Sequence, residues 1–173
     1  IVDSCLLILH DWANDLTLAE EEIDNERGVI HEEWRQGQGA MMRMYEQALP
    51  KAYQGGKYGH RLPIGTIEVI DNFPYQALRD YYETWYRPDQ QGIIVVGDID
   101  VDKVEAKIKE IFSPIKMPAN APERKYEPVA DNKEPIITIA KDKEQPSTMI
   151  YVWHKHPATP NEAKGNIGYL VEN

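Results

Sequence analysis

A run of prolines divides this chain of 173 residues into two parts. Five prolines interrupt a polar stretch that has no helical or strand periodicity (Pro114, Pro118, Pro122, Pro128 and Pro135). Because proline fixes φ and lacks a backbone N–H donor, neither a helix nor a central strand continues through such a stretch. The composition is typical of an extended linker, which we place at residues 117–134. We therefore predict one folded part over residues 1–116 and the beginning of another over residues 135–173.

Helical patterns dominate the chain before this linker. Apolar residues recur at helical spacing, which predicts helices over residues 3–15, 18–35, 41–49, 75–87 and 101–112. Thr17 and Glu20 have the spacing of a capping box at the start of the second helix. Three apolar runs have strand length instead: GIIVVGD (92–98), PIITIAKD (135–142) and TMIYVWHKH (148–156). Together these patterns predict an α+β fold in which helices pack on a mixed or antiparallel sheet.

The acidic charge of the chain is concentrated near its N-terminus. The formal net charge is −10, and ten of the 29 acidic residues lie in residues 1–33, where Arg27 is the single base. No basic patch suited to nucleic acid and no polybasic segment suited to an anionic membrane occurs. No apolar run reaches the length of about 18 residues that a transmembrane segment needs. A single cysteine, Cys5, excludes a disulfide framework and a zinc site built from cysteines.

Two glutamates of the second predicted helix, Glu26 and Glu33, lie at positions where a hydrophobic residue is expected. On a helical wheel of about 100° per residue they fall inside the apolar stripe of that helix. The aliphatic and aromatic members of the stripe are Ile23, Val29, Ile30 and Trp34. A carboxylate on the core-facing side of a helix is costly unless it is paired or bound to a metal. The two glutamates therefore either pair with arginines of a neighbouring helix or contribute to a metal site.

The spacing of these glutamates limits what a metal site could look like. Seven residues of helix rise about 10 Å, whereas a carboxylate oxygen must lie about 2 Å from a zinc ion. One glutamate could therefore bind the ion, while the other orients a histidine ligand through a hydrogen bond. The sequence contains neither HExxH nor HxxEH, so the chain cannot complete a zinc site by itself.

The segment NERGVIHEEW (25–34) resembles the second zinc-site helix of the M16 peptidases, the insulinase, pitrilysin and mitochondrial processing peptidase group. The resemblance continues in order through YGHRLPIGT (58–66), LRDYYETWYRPD (78–89) and IIVVGDID (93–100). Members of this family carry HxxEH on an earlier helix, where two histidines bind zinc and the glutamate is the general base. The resemblance implies that Glu33 is the third zinc ligand and that Glu26 supports a histidine ligand, while the general base lies outside this chain.

This resemblance implies that the chain is part of a zinc-dependent metalloendopeptidase that hydrolyses peptides or unfolded polypeptide segments. Residues 1–116 would form the C-terminal half of one M16 domain, and residues 135–173 the beginning of a second. The expected partners are a peptide substrate and the rest of the same chain or a second M16-like subunit, in a bacterial periplasm or cytoplasm. The HxxEH segment would precede Ile1, so we expect the isolated chain to be inactive and to bind Zn²⁺ poorly.

Two alternatives to a catalytic parent stay open at this point. The first is a non-catalytic M16-like subunit that assembles with an active partner, although the presence of both Glu26 and Glu33 favours a catalytic parent. The second is an unrelated α+β interaction module in which the two glutamates pair with arginines. The second alternative requires arginines beside Glu26 and Glu33, so the surroundings of these two side chains test it.

Overall fold

The computed structural model describes residues 1–155 of the chain. These residues form six α-helices: α1 (Val2–Asn14), α2 (Glu20–Gly37), α3 (Ala40–Ala52), α4 (Ile67–Asn72), α5 (Tyr75–Trp85) and α6 (Val101–Phe112). Short 3₁₀ turns occupy Lys57–Gly59 and Pro88–Gln90. The five predicted helices are confirmed to within a few residues at their ends, and the short helix α4 was not predicted.

Helices α2 and α6 differ in whether a side chain caps their first turn. Helix α2 begins at Glu20 and no side chain caps it, so the capping box predicted at Thr17 is wrong. Leu18 has a φ of 45°, a left-handed conformation that prevents the helix from starting earlier. Helix α6 does have a side-chain cap, because the carboxylate of Asp100 accepts a hydrogen bond of 3.2 Å from the backbone N–H of Lys103.

The predicted sheet is not found, because residues 1–155 contain no β-strand. The three apolar runs form neither helix nor strand over their described residues, and Ile94, Ile137 and Ile150 are each at least 80% exposed. A strand requires a neighbour whose backbone groups pair with its own, and composition alone does not supply one. The α+β prediction is therefore wrong, and the described fold is helical. His156 and the remainder of the predicted second domain lie outside the described residues.

The described residues divide into two compact units, each assembled from two stretches: Ile1–Gly39 with Arg61–Glu127, and Ala40–His60 with residues 128–155. In the first unit α1 packs against α6 and α2 packs against α4. In the second unit α3 packs against the first 3₁₀ turn. There the guanidinium of Arg43 also binds the carboxylate of Asp142 through two hydrogen bonds of 2.7 and 2.9 Å. The division at residues 117–134 stays a prediction.

Few large hydrophobic side chains are buried in the described part of the chain: Leu6, Ile23, Leu49 and Ile70. Leu6, Ile23 and Ile70 lie on α1, α2 and α4, which belong to the first unit. Other large side chains, including Trp12 and Val29, remain exposed. No helix within residues 1–155 combines the length and the apolarity that crossing a membrane requires.

Candidate metal-binding face of helix α2

Helix α2 carries both predicted site residues, and its charged residues suit a helix. The first turn contains three acids (Glu20, Glu21 and Glu22), whose negative charges interact favourably with the positive end of the helix dipole. Arg35 lies in the last turn, where a positive charge is favourable for the same reason. Ile23 is the buried residue of this helix. The acids beyond the first turn therefore need a different explanation.

Arg27 fastens α2 to the C-terminal end of α4. Its Nη1 and Nη2 donate hydrogen bonds of 2.6 Å each to the backbone carbonyls of Ile70 and Phe73. Its guanidinium also lies over the Phe73 ring, 3.9 Å from the ring centroid. Helix ends leave carbonyls without intrahelical partners, so this arginine completes the end of α4 while it fixes the position of α2. Sequence reasoning missed this role, although Arg27 is the single base in the first 33 residues.

Two acids of α2 are committed to partners within the fold. Asp24 accepts hydrogen bonds from the Tyr75 hydroxyl at 2.6 Å and from Arg27 Nε at 3.0 Å, and both lower the pKa of its carboxyl group. Glu32 binds the guanidinium of Arg35 through bonds of 2.7 and 2.6 Å. This pairing, with a further bond from Gln36, lowers the pKa of Glu32 to about 2. Both carboxylates are already engaged.

The two predicted site residues are placed differently. Glu26 and Glu33 are both exposed, so the prediction that they face the core of this chain is wrong. Within residues 1–155, neither side chain has a hydrogen bond or an ion pair. The arginines nearest in sequence, Arg27 and Arg35, are paired with Asp24 and Glu32 instead. The alternative in which the two glutamates pair with arginines therefore does not hold in the described chain.

The apolar stripe of α2 divides into a packed side and an open side. Ile23 is buried, and Ile30 and Trp34 are half-buried. These three side chains lie about 40–80° around the helix from Glu26. Val29, on the other side of the two glutamates, is 58% exposed. The helix thus packs through one edge of its stripe, and the edge that carries the carboxylates is uncovered by the described residues.

Helix α5 supports the segment that leads into α2. Its Arg79 donates hydrogen bonds of 3.0 and 3.3 Å to the backbone carbonyl of Leu18, the residue with positive φ. The Tyr82 hydroxyl donates to the carbonyl of Trp12 at 2.9 Å and accepts from the N–H of Leu16 at 3.4 Å. Burial raises the pKa of Tyr82. These bonds fix a strained turn, and with it the start of the candidate site helix.

The described residues also bring together one other group that could hold a metal ion. His10, Asp11 and Asp15 offer ligand atoms that all lie within 4.8 Å of one another. Both acids are exposed, and His10 packs its ring edge-on against Phe112 at 5.6 Å between centroids. Exposed acids near a histidine are common without a metal, so we assign no ion to this group. It contains neither Glu26 nor Glu33.

Comparison with known proteins identifies the class to which this helical chain belongs. The family profile described as Peptidase M16 inactive domain matches residues 72–167, which is more than half of the chain. This chain therefore belongs to the M16 peptidase family. The match begins after α2, so the candidate site helix lies outside the matched residues.

Individual relatives agree with this family. The chain is 35% identical over 153 residues to the probable zinc protease PqqL of Escherichia coli, covering 88% of this chain and 16% of that protein. It is 35% identical over 106 residues to the probable zinc protease PqqL of Haemophilus influenzae, covering 61% of this chain and 11% of that protein. The chain thus spans about a sixth or less of the length of these relatives.

Solved structures show the same likeness in three dimensions. The first half of the periplasmic protease PqqL from Escherichia coli superposes with a TM-score of 0.67 at 35% identity, covering 76% of this chain and 28% of that one. A mutant of the ferredoxin protease FusC, in complex with Arabidopsis ferredoxin, superposes with a TM-score of 0.69 at 31% identity. That match covers 75% of this chain and 14% of that one.

Proposed function

We propose that this chain is part of a zinc-dependent metalloendopeptidase, and that Glu33 is its carboxylate ligand to the metal. Glu26 takes the supporting role and holds a histidine ligand by a hydrogen bond. Two side chains about 10 Å apart along one helix face cannot both reach one ion, and the resemblance of NERGVIHEEW (25–34) to the second zinc-site helix of the M16 peptidases supports Glu33 as the ligand. The family to which the chain belongs, and the zinc proteases among its relatives, support this reading.

One observation carries the assignment. Beyond the first turn of α2, Asp24 and Glu32 are bound to partners in the fold, whereas Glu26 and Glu33 have none among residues 1–155. The unpaired glutamates share one face of the helix, and that face also exposes Val29. A metal ligand must keep its oxygen atoms available, so the absence of partners at Glu26 and Glu33 supports their assignment to the site.

The donor set of the described chain fits part of a zinc site. Glu33 supplies one carboxylate, and two further ligands would come from outside residues 1–155. When bound, a zinc ion with an open coordination position lowers the pKa of its water and polarises a substrate carbonyl. This chain contributes a negative charge at Glu33 and, through Glu26, a hydrogen-bond acceptor that fixes the orientation of an imidazole.

Glutamine substitutions in the full-length protein test the proposal. We expect E33Q to lose most of its bound zinc and its peptidase activity while keeping its fold, as followed by metal analysis, peptide hydrolysis and circular dichroism. E26Q should weaken zinc binding by about 10–100-fold. E32Q is the matched control, because Glu32 is adjacent and paired with Arg35. A full zinc content in E33Q would show that Glu33 is not a ligand.

A second candidate function is favoured by the description of the matching family profile, which names an inactive domain. In that case the chain belongs to a non-catalytic M16-like region that supports an active partner. The same measurements separate the two functions. A non-catalytic protein would carry no zinc at this helix even as wild type, and E33Q would leave the activity of its complex unchanged.

We also propose a substrate class, a compartment and a domain boundary for this protein. A structural neighbour is a ferredoxin protease solved with ferredoxin, which supports a polypeptide as substrate class. The periplasmic location of the Escherichia coli relative supports a periplasmic location here. We also propose residues 117–134 as the linker between an M16 domain ending near residue 116 and one beginning near 135. Limited proteolysis of the full-length protein should then cut preferentially inside this linker.

A further inference from the structure

A small cavity lies at the C-terminal end of α5, within the first unit. Its volume is about 190 Å³. This is below the range of about 300–1,000 Å³ typical of sites for drug-sized ligands. The residues that matter for its chemistry are Tyr82, Glu83, Tyr86, Arg87, Ile115 and Lys116. The cavity is formed by different residues from the carboxylate face of α2, so what it binds does not depend on the zinc proposal.

Arg87 is the unusual member of this lining. Its side chain is only 3% exposed, yet neither Nε nor Nη1 has a hydrogen-bond partner among residues 1–155. Nε lies 2.8 Å from the Asp89 carboxylate, but the contact does not have hydrogen-bond geometry. A buried guanidinium with unpaired donors is costly. The charge of Asp89 and the Trp85 ring, whose centroid lies 5.5 Å from Arg87 Cζ, offset part of that cost, and Nη1 remains free to bind a further acceptor.

Arg27 and Arg87 differ in how completely their guanidinium groups are hydrogen-bonded. All three nitrogens of the Arg27 guanidinium donate to oxygen atoms of the fold. Arg27 therefore has a structural role, whereas Arg87 Nη1 is a buried donor without an acceptor among residues 1–155. The Tyr82 hydroxyl in the same lining is already engaged with Trp12 and Leu16. Arg87, Lys116 and Tyr86 carry side-chain donors that are available to a ligand, and the Asn14 amide, which donates to Asp15, has a second N–H.

We propose that this cavity binds a carboxylate group, carried either by the C-terminal residue of a peptide or by a small free organic acid. Arg87 Nη1 donates to the carboxylate from the buried side, and Lys116 adds a second positive charge from the exposed side. Ile115 gives the apolar part of the ligand a surface to contact. The exposed carboxylate of Glu83 lines the same space, and its negative charge disfavours a doubly charged anion such as phosphate.

Binding measurements on the 173-residue chain test this site. The probes are N-acetyl-leucine and its amide, and a pentapeptide with a free or an amidated C-terminus, followed by calorimetry. We expect saturable binding of both free acids and at least tenfold weaker binding of both amides. Tighter binding of the free peptide than of N-acetyl-leucine would identify a peptide C-terminus as the source. Equal affinities would identify the carboxylate with its first residue as the whole determinant. Phosphate should not compete.

Variants separate a binding arginine from a structural one. R87M should weaken carboxylate binding at least tenfold while the melting temperature changes little, because the new side chain is apolar and of similar length, and the Asp89 carboxylate left behind is exposed to water. R35M, which alters an exposed arginine of α2, should leave the affinity unchanged. K116M alters an exposed lysine and should weaken binding severalfold without unfolding the chain, so it decides the matter if R87M does not fold. Absent or amide-insensitive binding, or full affinity in R87M or in K116M, would overturn the proposal.

Discussion

The two sides of helix α2 use charge in different ways. On the packed side, Arg27 donates to the carbonyls of Ile70 and Phe73 and to Asp24, and Asp24 also accepts from Tyr75. On the open side, Glu26 and Glu33 are exposed and have no partner within residues 1–155. The same helix therefore carries charges that hold the fold together and charges that the fold does not use.

This difference separates stability from the proposed chemistry. A charge buried in a network is destabilising to remove, because its partners lose their compensation. An exposed and unpaired carboxylate contributes little to stability and remains available to a ligand from outside the described chain. Substitutions on the two sides of α2 should therefore affect different measurements.

The largest expected effect on stability comes from the packed side. R27M removes the donors to Ile70, Phe73 and Asp24, so we expect the free energy of unfolding to fall by about 2–4 kcal/mol. Urea unfolding of the 173-residue chain measures the change. R35M, on an exposed pair, should cost less than about 1 kcal/mol. Similar losses in the two variants would contradict the view that Arg27 fixes α2.

A smaller effect is expected at the helix starts. D100A removes the side-chain cap of α6, and should lower the free energy of unfolding by about 1 kcal/mol. T17A should change it by less than about 0.5 kcal/mol, because Thr17 does not cap α2. Thermal unfolding of both variants tests the difference. A loss in T17A as large as in D100A would restore the capping box that the sequence suggested.

We expect the titration of Glu32, the acid next to Glu33, to show its ion pair with Arg35. The pKa of Glu32 is lowered from 4.5 to about 2, because Arg35 binds its charged form. The stabilisation from this pair is therefore complete above about pH 4.5 and is lost as the pH falls towards 2. Carboxyl carbon NMR should show a midpoint near 2, which returns towards 4.5 in R35M. An unchanged midpoint in R35M would show that the pair does not form in solution.

The smallest effect is expected from the open side. The double variant E26Q/E33Q should alter the free energy of unfolding of the 173-residue chain by no more than about 0.5 kcal/mol. Denaturant unfolding measures this, with E32Q as the matched single change on the paired neighbour. A loss of several kcal/mol would show that these glutamates have partners in the fold, and it would remove the basis for assigning them to a metal.

Helix positions could be predicted because the apolar pattern of a helix is local. The predicted sheet was wrong because the pairing of strands is not local. The runs around Ile94, Ile137 and Ile150 have the composition of strands, but a strand exists only where a neighbouring backbone pairs with it. Such pairing joins residues far apart in sequence and is invisible in one run alone. For the same reason the sequence did not reveal that Arg27 would reach the end of α4, more than 40 residues away.

The sequence alone determined that Glu26 and Glu33 share one face of a helix, because the helical period follows from spacing. It also carried the motifs that resemble the M16 peptidases. Only the tertiary structure decided which edge of that helix is covered, which acids are paired, and that Arg87 is buried with Nη1 lacking a hydrogen bond. These outcomes depend on which distant segments pack together, and spacing along one helix contains no information about its neighbours.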